Sequence, residues 1–388
     1  MNVIGIIAEY NPFHNGHLYQ INKIKELYKD CIIIVVLNGN FTQRGEVSII
    51  NKWKKTEILL NNSVDLVVEL PIFYGINNSN IFAHGSIEIL NNLGINILAF
   101  GSEINDINII RNALHKKNTN EYNILVKKYL DKGNNYAFSS FNALNDLTGI
   151  KINTPNNILA LSYLEEIVNN KYNIKPLNIK RTNNYHSNNL EKISSASAIR
   201  NGIKENKDIS IAVPNITLNY LDDIVFIDDY FDLLKYKILS SNNLNIYHDV
   251  IEGIDNRIYK YIKESNTLEE LISKVKTKRF TYNRIKRILL YILLDIKKDD
   301  IKNIKNYIRP LGFNETGKKY LNKIKNNLTL PLINCYSKNK DILSLEYKAN
   351  LIYSLKTKNI NESIKNELNK PIKKQWITYF YSLLSSFD

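Results

Sequence analysis

Two histidines stand three residues apart near the start of this 388-residue chain, in the segment Glu9-Tyr-Asn-Pro-Phe-His-Asn-Gly-His17. A short apolar run precedes the segment and a helical stretch follows it. If the first helical turn includes both histidines, they share a face beside the N–H groups and partial positive charge of a helix N-terminus. Two imidazoles there suit stabilisation of the charge that grows on an α-phosphate under attack. The spacing predicts nucleotidyl transfer by His14 and His17; a metal pair and a structural turn are the alternatives.

A serine-rich segment, Ile193-Ser-Ser-Ala-Ser-Ala-Ile-Arg200, offers further groups for phosphate. Its hydroxyls can cap a helix and hydrogen-bond phosphate oxygens, and a guanidinium supplies planar, permanently charged donors. Alone, such a segment is more often only a helix cap. Beside the histidine segment it favours phosphate binding, and we predict catalytic roles for Ser195 and Arg200.

Two more polar segments follow apolar runs. Asn38–Glu46 is a glycine-flanked loop that carries Arg44, a candidate contact for substrate or RNA phosphate. In Phe100–Glu103, Gly101 would let a nucleobase or ribose lie against the backbone. Both segments could instead be ordinary turns.

The elements that must position these residues alternate between strand and helix. Short runs rich in Val and Ile predict strands buried on both faces, and polar–apolar stretches between them predict helices. The predicted strands are Val3–Ala8, Cys31–Leu37, Leu66–Leu70 and Ile95–Phe100, and the helices are Gly16–Tyr28, Asn51–Asn61 and Asn80–Leu93. The pattern indicates an α/β fold with a Rossmann-like, doubly wound parallel sheet, whose ligands bind outside the carboxyl ends of the strands.

Beyond about residue 205 the sequence becomes mostly helical and almost free of glycine. We predict a catalytic domain at residues 1–205 and a helical, basic domain at residues 206–388. In the basic domain, aromatic residues interleave with cations, a pattern that fits RNA, although a solvated basic face is the alternative. The predicted RNA-binding cations of this segment are Lys278, Arg279, Arg284 and Arg287.

The composition agrees with a polyanionic partner. The chain has 52 Lys+Arg against 38 Asp+Glu, a net charge of +14, although AT-rich coding would also raise the lysine content. A hydrophobic fraction of 44% excludes a disordered protein. No apolar run approaches the roughly 18 residues of a membrane span, and two distant cysteines exclude a disulfide scaffold. We expect a soluble cytoplasmic protein without membrane contact or a metal site, and nothing implies a protein partner.

Taken together, these motifs resemble the bacterial tRNA(Met) cytidine acetate ligases, within the nucleotidyltransferase superfamily that carries a His-x-Gly-His signature. The resemblance runs from residue 1 to about residue 332. Besides the histidine and serine segments, it rests on Gly39–Glu46, Asp65–Pro71, Phe100–Glu103, Pro155–Leu159, Thr277–Arg287 and Tyr307–Asn314.

The resemblance implies an enzyme that uses ATP, with Mg²⁺, to convert acetate into acetyl-adenylate and then acetylates N4 of the wobble cytidine of elongator tRNA(Met). It also implies that Gly101, Asn157 and Arg181 contact ATP, with Asn156 as the alternative to Asn157. The first strand end supplies the rest of the implied ATP site, namely Ile7, Ala8, Glu9, Tyr10, Asn11, Pro12, Phe13, His14, Asn15, Gly16, His17, Leu18, Tyr19 and Gln20.

Three other functions share parts of this pattern. A small-molecule adenylyltransferase of cofactor biosynthesis would have the same two phosphate motifs but would not need the basic helical half. A class I aminoacyl-tRNA synthetase would normally be larger. An RNA-binding protein with a vestigial nucleotide site would not need the intact histidine and serine motifs.

Overall fold

A mixed β-sheet runs through the molecule in a computed structural model that describes residues 1–180, 190–302, 304–369 and 371–374. Its strand order is β5-β4-β1-β2-β3-β6-β7. The strands are β1 (Asn2–Ala8), β2 (Cys31–Asn38), β3 (Leu66–Leu70), β4 (Ile97–Ser102), β5 (Lys175–Lys180), β6 (Pro310–Phe313) and β7 (Ile372–Lys373).

The first five strands are parallel, and β1 lies between β2 and β4. The chain therefore builds the sheet outward from β1 in one direction and then returns to build it in the other. At this switch point the loops that leave β1 and β4 separate, and a crevice opens outside their carboxyl ends. The predicted doubly wound α/β fold is confirmed, with the four predicted strands shifted by no more than two residues at either end.

The sheet forms because its central strands are apolar on both sides. Every residue of β2 is buried, and alternate side chains enter different cores. Ile32, Ile34 and Val36 pack under one helical layer, whereas Ile33, Val35 and Leu37 pack under the other. A strand with no polar face fits only between two covering layers.

Helices cover both faces of the sheet and form most of the second half of the chain, as predicted. Within the described ranges, no helix has the length and apolar character needed to cross a bilayer. The helices are α1 (Asn15–Leu27), α2 (Lys52–Asn61), α3 (Ile72–Gly75), α4 (Ser79–Asn92), α5 (Ile107–Lys117), α6 (Asn120–Leu130), α7 (Tyr136–Thr148), α8 (Pro155–Asn169), α9 (Ala196–Lys204), α10 (Asn215–Leu218), α11 (Phe231–Ser240), α12 (Ile254–Ile262), α13 (Leu268–Val275), α14 (Tyr282–Leu293), α15 (Glu315–Ile324), α16 (Ser344–Ser354) and α17 (Ile360–Leu368).

Helices α11 to α14 and α16 surround a core of their own. Two residues of the β2–α2 loop, Phe41 and Val47, belong to that core. The loop that leaves β2 is therefore held between the sheet and the helical half of the chain.

The sheet does not end with the first half of the chain. Strand β6 pairs antiparallel with β3, and β7 pairs with β6. Both strands are too short to show a period in sequence, and Pro310 occupies the first position of β6, where its missing N–H is tolerated. The division into domains at residues 1–205 and 206–388 stays a prediction, since the sheet draws strands from both ranges.

A buried ion cluster joins β3 to the C-terminal helices. Lys52 contacts Glu69 at 2.6 Å and Glu367 at 2.7 Å, and Arg309 contacts the same two carboxylates at 2.8 and 2.5 Å. Removing one member would leave an uncompensated buried charge. Helix α17 is thus tied to the sheet through charge as well as through packing.

Candidate active site

A cavity of about 210 Å³ opens at the switch point between β1 and β4. Its walls come from seven parts of the chain: the β1 end, the start of α1, the β2–α2 loop, helix α4, the β4 end, helix α8 and the start of α9. The residues that line it are Ile7, Ala8, Glu9, Tyr10, Asn11, His14, His17, Gln20, Thr42, Gln43, Arg44, Glu46, Phe82, Phe100, Gly101, Asn156, Leu159, Tyr163, Ser195, Ala196, Ser197 and Arg200. We call this cavity the switch-point cavity.

A buried lysine on α2 holds the ends of β1 and β2 together. Nζ of Lys55 donates to the carbonyl oxygens of Glu9 (2.8 Å), Asn38 (2.9 Å) and Gly39 (2.7 Å), which together take all three hydrogens of an ammonium. Burial lowers the pKa of Lys55 to about 7, and the nearby Glu9 opposes that shift. Oε1 of Glu9 in turn accepts from Nδ2 of Asn38 (3.0 Å) and from the N–H of Gln43 (2.6 Å). The floor of the cavity is therefore fixed by hydrogen bonds.

The two histidines meet as stacked rings at the start of α1, with centroids 3.5 Å apart. Nδ1 of His14 accepts from the N–H of Gly16 (3.1 Å), and Nδ1 of His17 accepts from the N–H of His14 (3.3 Å). A ring nitrogen that accepts carries no hydrogen, so each neutral imidazole has its hydrogen on Nε2. Helix α1 thus begins with two Nε2–H donors side by side.

Helix α9 brings its first turn and one cation to the opposite wall. Ser195 caps the helix: its Oγ accepts from the N–H of Ala198 (3.1 Å) and lies 3.0 Å from Oγ of Ser197. One turn later, Nη1 of Arg200 donates to the carbonyl oxygen of Asn11 (2.7 Å), which connects α9 to the histidine segment. The structure therefore brings the two predicted phosphate motifs into one cavity.

The β2–α2 loop reaches the cavity through a tight turn at residues 42–46. Gly45 has a φ of +78°, and a Cβ there would meet Cβ of Lys286 at 2.6 Å and the backbone N of Arg287 at 2.7 Å. Only glycine allows this loop to pack so closely on α14. Helix α14 thereby sets the position of Arg44.

Two guanidinium groups give the cavity its positive character. Burial and the neighbouring Arg44 lower the pKa of Arg200 to about 10, so Arg200 stays charged at neutral pH. Of the two carboxylates that line the cavity, Glu9 is bound by backbone and amide donors, and Glu46 forms an ion pair with Lys286. A polyanion between the two arginines would relieve their mutual repulsion.

Helix α8 supplies the less polar wall. Asn156, Leu159 and Tyr163 stand at spacings of three and four residues and so share one face of the helix. Phe82 and Phe100 extend the wall from α4 and β4. A wall of this kind limits the access of water to a bound ligand.

The structure separates the predicted ATP residues into two groups. Eight of the fourteen residues from Ile7 to Gln20 line the cavity, as does Gly101. The others support it: Pro12 and Phe13 are buried, Gly16 donates to His14, Leu18 packs on the core, Tyr19 is exposed, and Asn15 donates to the carbonyl oxygens of Lys192 and Ile211.

Asn156 lines the cavity, whereas Asn157 does not. Oδ1 of the buried Asn157 accepts from the N–H of Glu103 (3.1 Å) and of Ile104 (3.0 Å), so this side chain shapes the loop after β4. A contact between Asn157 and ATP stays a prediction, and the geometry favours the alternative, Asn156. Arg181 lies outside the described residues.

The predicted RNA-binding residues are also divided. Arg44 lies in the switch-point cavity. Arg279, Arg284 and Arg287 line a different cavity, between α14 and the N-terminal half of the chain, and the exposed Lys278 lines neither. Their roles in RNA binding stay predictions.

Several lining residues were not found by sequence reasoning. The sequence motifs did not single out Phe82, Leu159 or Tyr163 among the lining residues, nor Lys55, which supports the cavity from α2. A signal existed for α8: once Asn156 is a candidate, the positions three and seven residues later fall on the same helix face. Nothing comparable marks Lys55.

The chain is similar to known proteins over almost its whole length. A family model described as HIGH Nucleotidyl Transferase matches residues 1–367. The tRNA(Met) cytidine acetate ligase of Clostridium acetobutylicum is 39% identical over 391 aligned residues, which cover 93% of this chain and 97% of that relative. Its counterpart from Caldicellulosiruptor saccharolyticus is 40% identical, with 95% and 98% covered.

Solved structures agree with the sequence comparisons. The crystal structure of Thermotoga maritima TmcAL without ligand has a TM-score of 0.88 and 28% identity, covering 96% of this chain and 99% of that one. The same protein bound with alpha-thio ATP has a TM-score of 0.85 over the same shares. Because the family model and the relatives match almost the whole chain, this chain belongs to the tRNA(Met) cytidine acetate ligase family of HIGH nucleotidyl transferases.

Proposed function

We propose that this chain is an ATP-dependent ligase that acetylates N4 of the wobble cytidine of elongator tRNA(Met). In the first step, a carboxylate oxygen of acetate attacks the α-phosphorus of ATP, the bond to the bridging oxygen breaks, and pyrophosphate leaves. In the second step, the cytidine N4 amine attacks the acetyl carbon, AMP leaves and the amine loses a proton. The names of the relatives and the convergence of the two phosphate motifs in one cavity support this proposal.

The observation that carries the proposal is the pair of imidazoles with fixed tautomers. Both Nε2–H groups of His14 and His17 would donate to the α-phosphate as its negative charge grows during attack. Donors already oriented before the reaction need no reorganisation in the transition state, which is why such groups contribute most to catalysis.

Arg44 and Arg200 would bind the leaving pyrophosphate from two sides. Arg200 is held by the carbonyl oxygen of Asn11, and Arg44 by the packing of its loop on α14. The first turn of α9, with Ser195 and Ser197, adds hydroxyl and N–H donors for phosphate oxygens.

Mg²⁺ would enter as the complex with ATP. Among the described residues, no group of three or more His, Cys, Asp or Glu side chains could hold a metal ion. Mg²⁺ keeps most of its water and binds phosphates through few protein ligands, so Glu9, which unlike Glu46 forms no ion pair among the described residues, fits that use. The ion would neutralise phosphate charge.

The less polar wall on α8 would protect the intermediate. A mixed anhydride of acetate and AMP hydrolyses readily, so it must form where water is scarce until the amine arrives.

The tRNA partner and the acetyl transfer imply a cytoplasmic location.

Pyrophosphate exchange tests the proposal most directly. Purified protein would be incubated with ATP and radiolabelled pyrophosphate, with and without acetate. Acetate-dependent return of label into ATP is expected, and label from acetate should then appear in tRNA(Met) transcripts but not in transcripts whose wobble cytidine is replaced by uridine.

The other outcomes separate the competing functions. Exchange that needs a different acceptor in place of acetate would indicate a cofactor adenylyltransferase. Exchange that needs an amino acid would indicate a synthetase, and RNA binding without any exchange would indicate a vestigial nucleotide site.

A further inference from the structure

A second cavity, larger than the first, lies between α14 and helices α4, α7 and α8. Its volume is about 440 Å³, within the range of roughly 300 to 1,000 Å³ that is typical of ligand sites. We call it the basic cavity. The residues that line it are Asn77, Asn78, Ser79, Asn80, Ile81, Lys117, Asn135, Tyr136, Ala137, Ser140, Phe141, Ile158, Leu161, Ser162, His248, Asp249, Arg279, Thr281, Arg284, Arg287 and Tyr291.

The charges of the basic cavity are not balanced. Arg284 binds Asp249 through two hydrogen bonds of 2.9 and 2.7 Å, and Lys117 binds Glu165 at 2.5 Å. By contrast, Arg279 and Arg287 form no ion pair with any described residue. Two guanidinium groups are therefore left to attract an anion.

Three helices begin at this cavity and add to its positive potential. The N-cap residues Asn78 of α4, Asn135 of α7 and Thr281 of α14 all line it. These helices have 14, 13 and 12 residues, long enough for a substantial partial positive charge at each N-terminus. The cavity thus suits an anion on three sides.

The rim also carries an exposed aromatic ring. Tyr136 is 59% exposed at the start of α7. Exposed aromatic rings beside arginines are typical of sites where unpaired bases stack and phosphates pair with guanidinium groups. Among the lining amides, Oδ1 of Asn80 accepts from Oγ of Ser162, which orients its Nδ2 as a donor for a base edge.

The basic cavity shares a wall with the switch-point cavity. Ile81 lines the former and Phe82 the latter, and on α8 the same holds for Ile158 and Leu159. Nη1 of Arg287, which lines the basic cavity, also donates to the carbonyl oxygen of Gln43 at 3.4 Å, and Gln43 lines the switch-point cavity. A strand of RNA that entered the basic cavity would therefore lie beside the proposed site of acetyl transfer.

We propose that the basic cavity binds an unpaired nucleotide of the RNA substrate next to the cytidine that is acetylated, with its base on Tyr136 and its two flanking phosphates on Arg279 and Arg287. This inference rests on the proposed function, which makes RNA the acetyl acceptor. It adds the location of the single-stranded segment and the residue that would stack on it.

Paired variants test the inference through RNA affinity. Tyr136→Ala would be compared with Phe138→Ala, because Phe138 is 48% exposed on the same helix but does not line the cavity. Binding of an unmodified tRNA(Met) transcript and of its anticodon stem-loop would be followed by fluorescence anisotropy. We expect Tyr136→Ala to weaken binding roughly five- to a hundred-fold, the effect of one lost base stack, and Phe138→Ala to leave it within about twofold.

A second pair tests the phosphate contact. Arg279→Ala and Lys276→Ala each remove one cation from the same exposed segment, but only Arg279 lines the cavity. For a single strand, the slope of log affinity against log salt is negative, and it should become shallower by about 0.7 in Arg279→Ala alone.

The outcomes distinguish this inference from the proposed function. Equal effects within either pair, or no effect of Tyr136→Ala, would overturn the inference, as would an RNA that binds only through its helical stem. Acetate-dependent pyrophosphate exchange by the wild type, measured without RNA, reports on the proposed function alone. If the wild type shows this exchange but the paired variants affect RNA binding equally, only the inference is overturned. If the wild type shows no exchange, the proposed function is overturned.

Discussion

The two cavities differ in how their polar groups are held. In the switch-point cavity four polar side chains are bound by the backbone: the two imidazoles by N–H groups, Arg200 by a carbonyl oxygen, and Glu9 by an N–H. In the basic cavity Arg279 and Tyr136 stand exposed at the rim. One cavity is organised before its ligand arrives, whereas the other keeps side chains that can adjust.

This difference matches the demands of the two proposed ligands. A transition state lasts too briefly for side chains to rearrange, so stabilising it requires donors that are already in place. An RNA loop has many conformations, and exposed aromatic and cationic side chains can follow it at little cost. The same chain thus combines a rigid site and an adaptable one across a shared wall.

The largest effect is expected from the histidines. His14→Asn and His17→Ala should each lower acetate-dependent pyrophosphate exchange by about 10²- to 10³-fold, because each removes one oriented donor to the α-phosphate. Asn at position 14 can still cap α1, so thermal stability should change little in that variant. RNA affinity, measured by anisotropy, should stay near that of the wild type. A large loss of RNA affinity instead would contradict the proposal that the switch-point cavity forms the adenylate and the basic cavity binds the RNA.

A smaller loss is expected when the floor of the switch-point cavity is released. Lys55→Met leaves three carbonyl oxygens without their donor and should lower the free energy of unfolding by about 3 kcal/mol or more. The neighbouring Lys54, which is partly exposed and lies 3.7 to 3.9 Å from Asp222 and Asp223, provides the control. Lys54→Met should cost less than about 1 kcal/mol in the same urea titration. Similar losses in the two variants would contradict the idea of a cavity held rigid from below.

The basic cavity should respond through salt dependence. Replacing Arg279 and Arg287 together by alanine should make the negative slope of log affinity against log salt shallower by about 1.4, since two phosphate contacts are lost at about 0.7 each. Adding Arg284→Ala should change the slope little more, because Asp249 already neutralises that guanidinium. If Arg284→Ala changes the salt slope more than the other two substitutions do, Arg279 and Arg287 are not the cations that bind phosphate.

The smallest effects separate two adjacent asparagines. Asn156→Ala removes a lining amide and should raise the KM for ATP about two- to tenfold, with little change in stability. Asn157→Ala removes the acceptor of two N–H groups and should cost about 1 to 3 kcal/mol of unfolding free energy. Steady-state pyrophosphate exchange and thermal melting of both variants give the comparison. If Asn157→Ala raised the KM for ATP and Asn156→Ala lowered the stability, Asn157 would be the residue that contacts ATP.

Much of the first half of the chain could be predicted from local sequence patterns. A run such as Cys31–Leu37 can be stable only between two covering layers, and a glycine-rich turn that follows such a strand must lie at the carboxyl edge of the sheet. The cap at Ser195 and the histidine turn at the start of α1 are also local features. For these residues, neighbours in sequence are the neighbours that decide conformation.

Other features depended on contacts between distant parts of the chain. Strand β6 forms because the edge of β3 is open to pairing. Lys55 connects the ends of β1 and β2 only because the fold brings the carbonyl oxygens of Glu9 and Gly39 within reach of its Nζ. Tyr136 gains its proposed role from α14, which lies more than a hundred residues away in the sequence. None of these pairings leaves a period or a motif within a single segment.

The sequence by itself determined the strand–helix alternation, the two phosphate motifs and the family that they resemble. Each of these follows from apolar periodicity or from residue types at short spacing. Only the tertiary structure decided which asparagine of α8 faces the switch-point cavity, where Arg44 lies, and that a second cavity adjoins the first. Those features are set by packing between segments far apart in sequence, and such packing depends on the shape of the whole fold rather than on any local pattern.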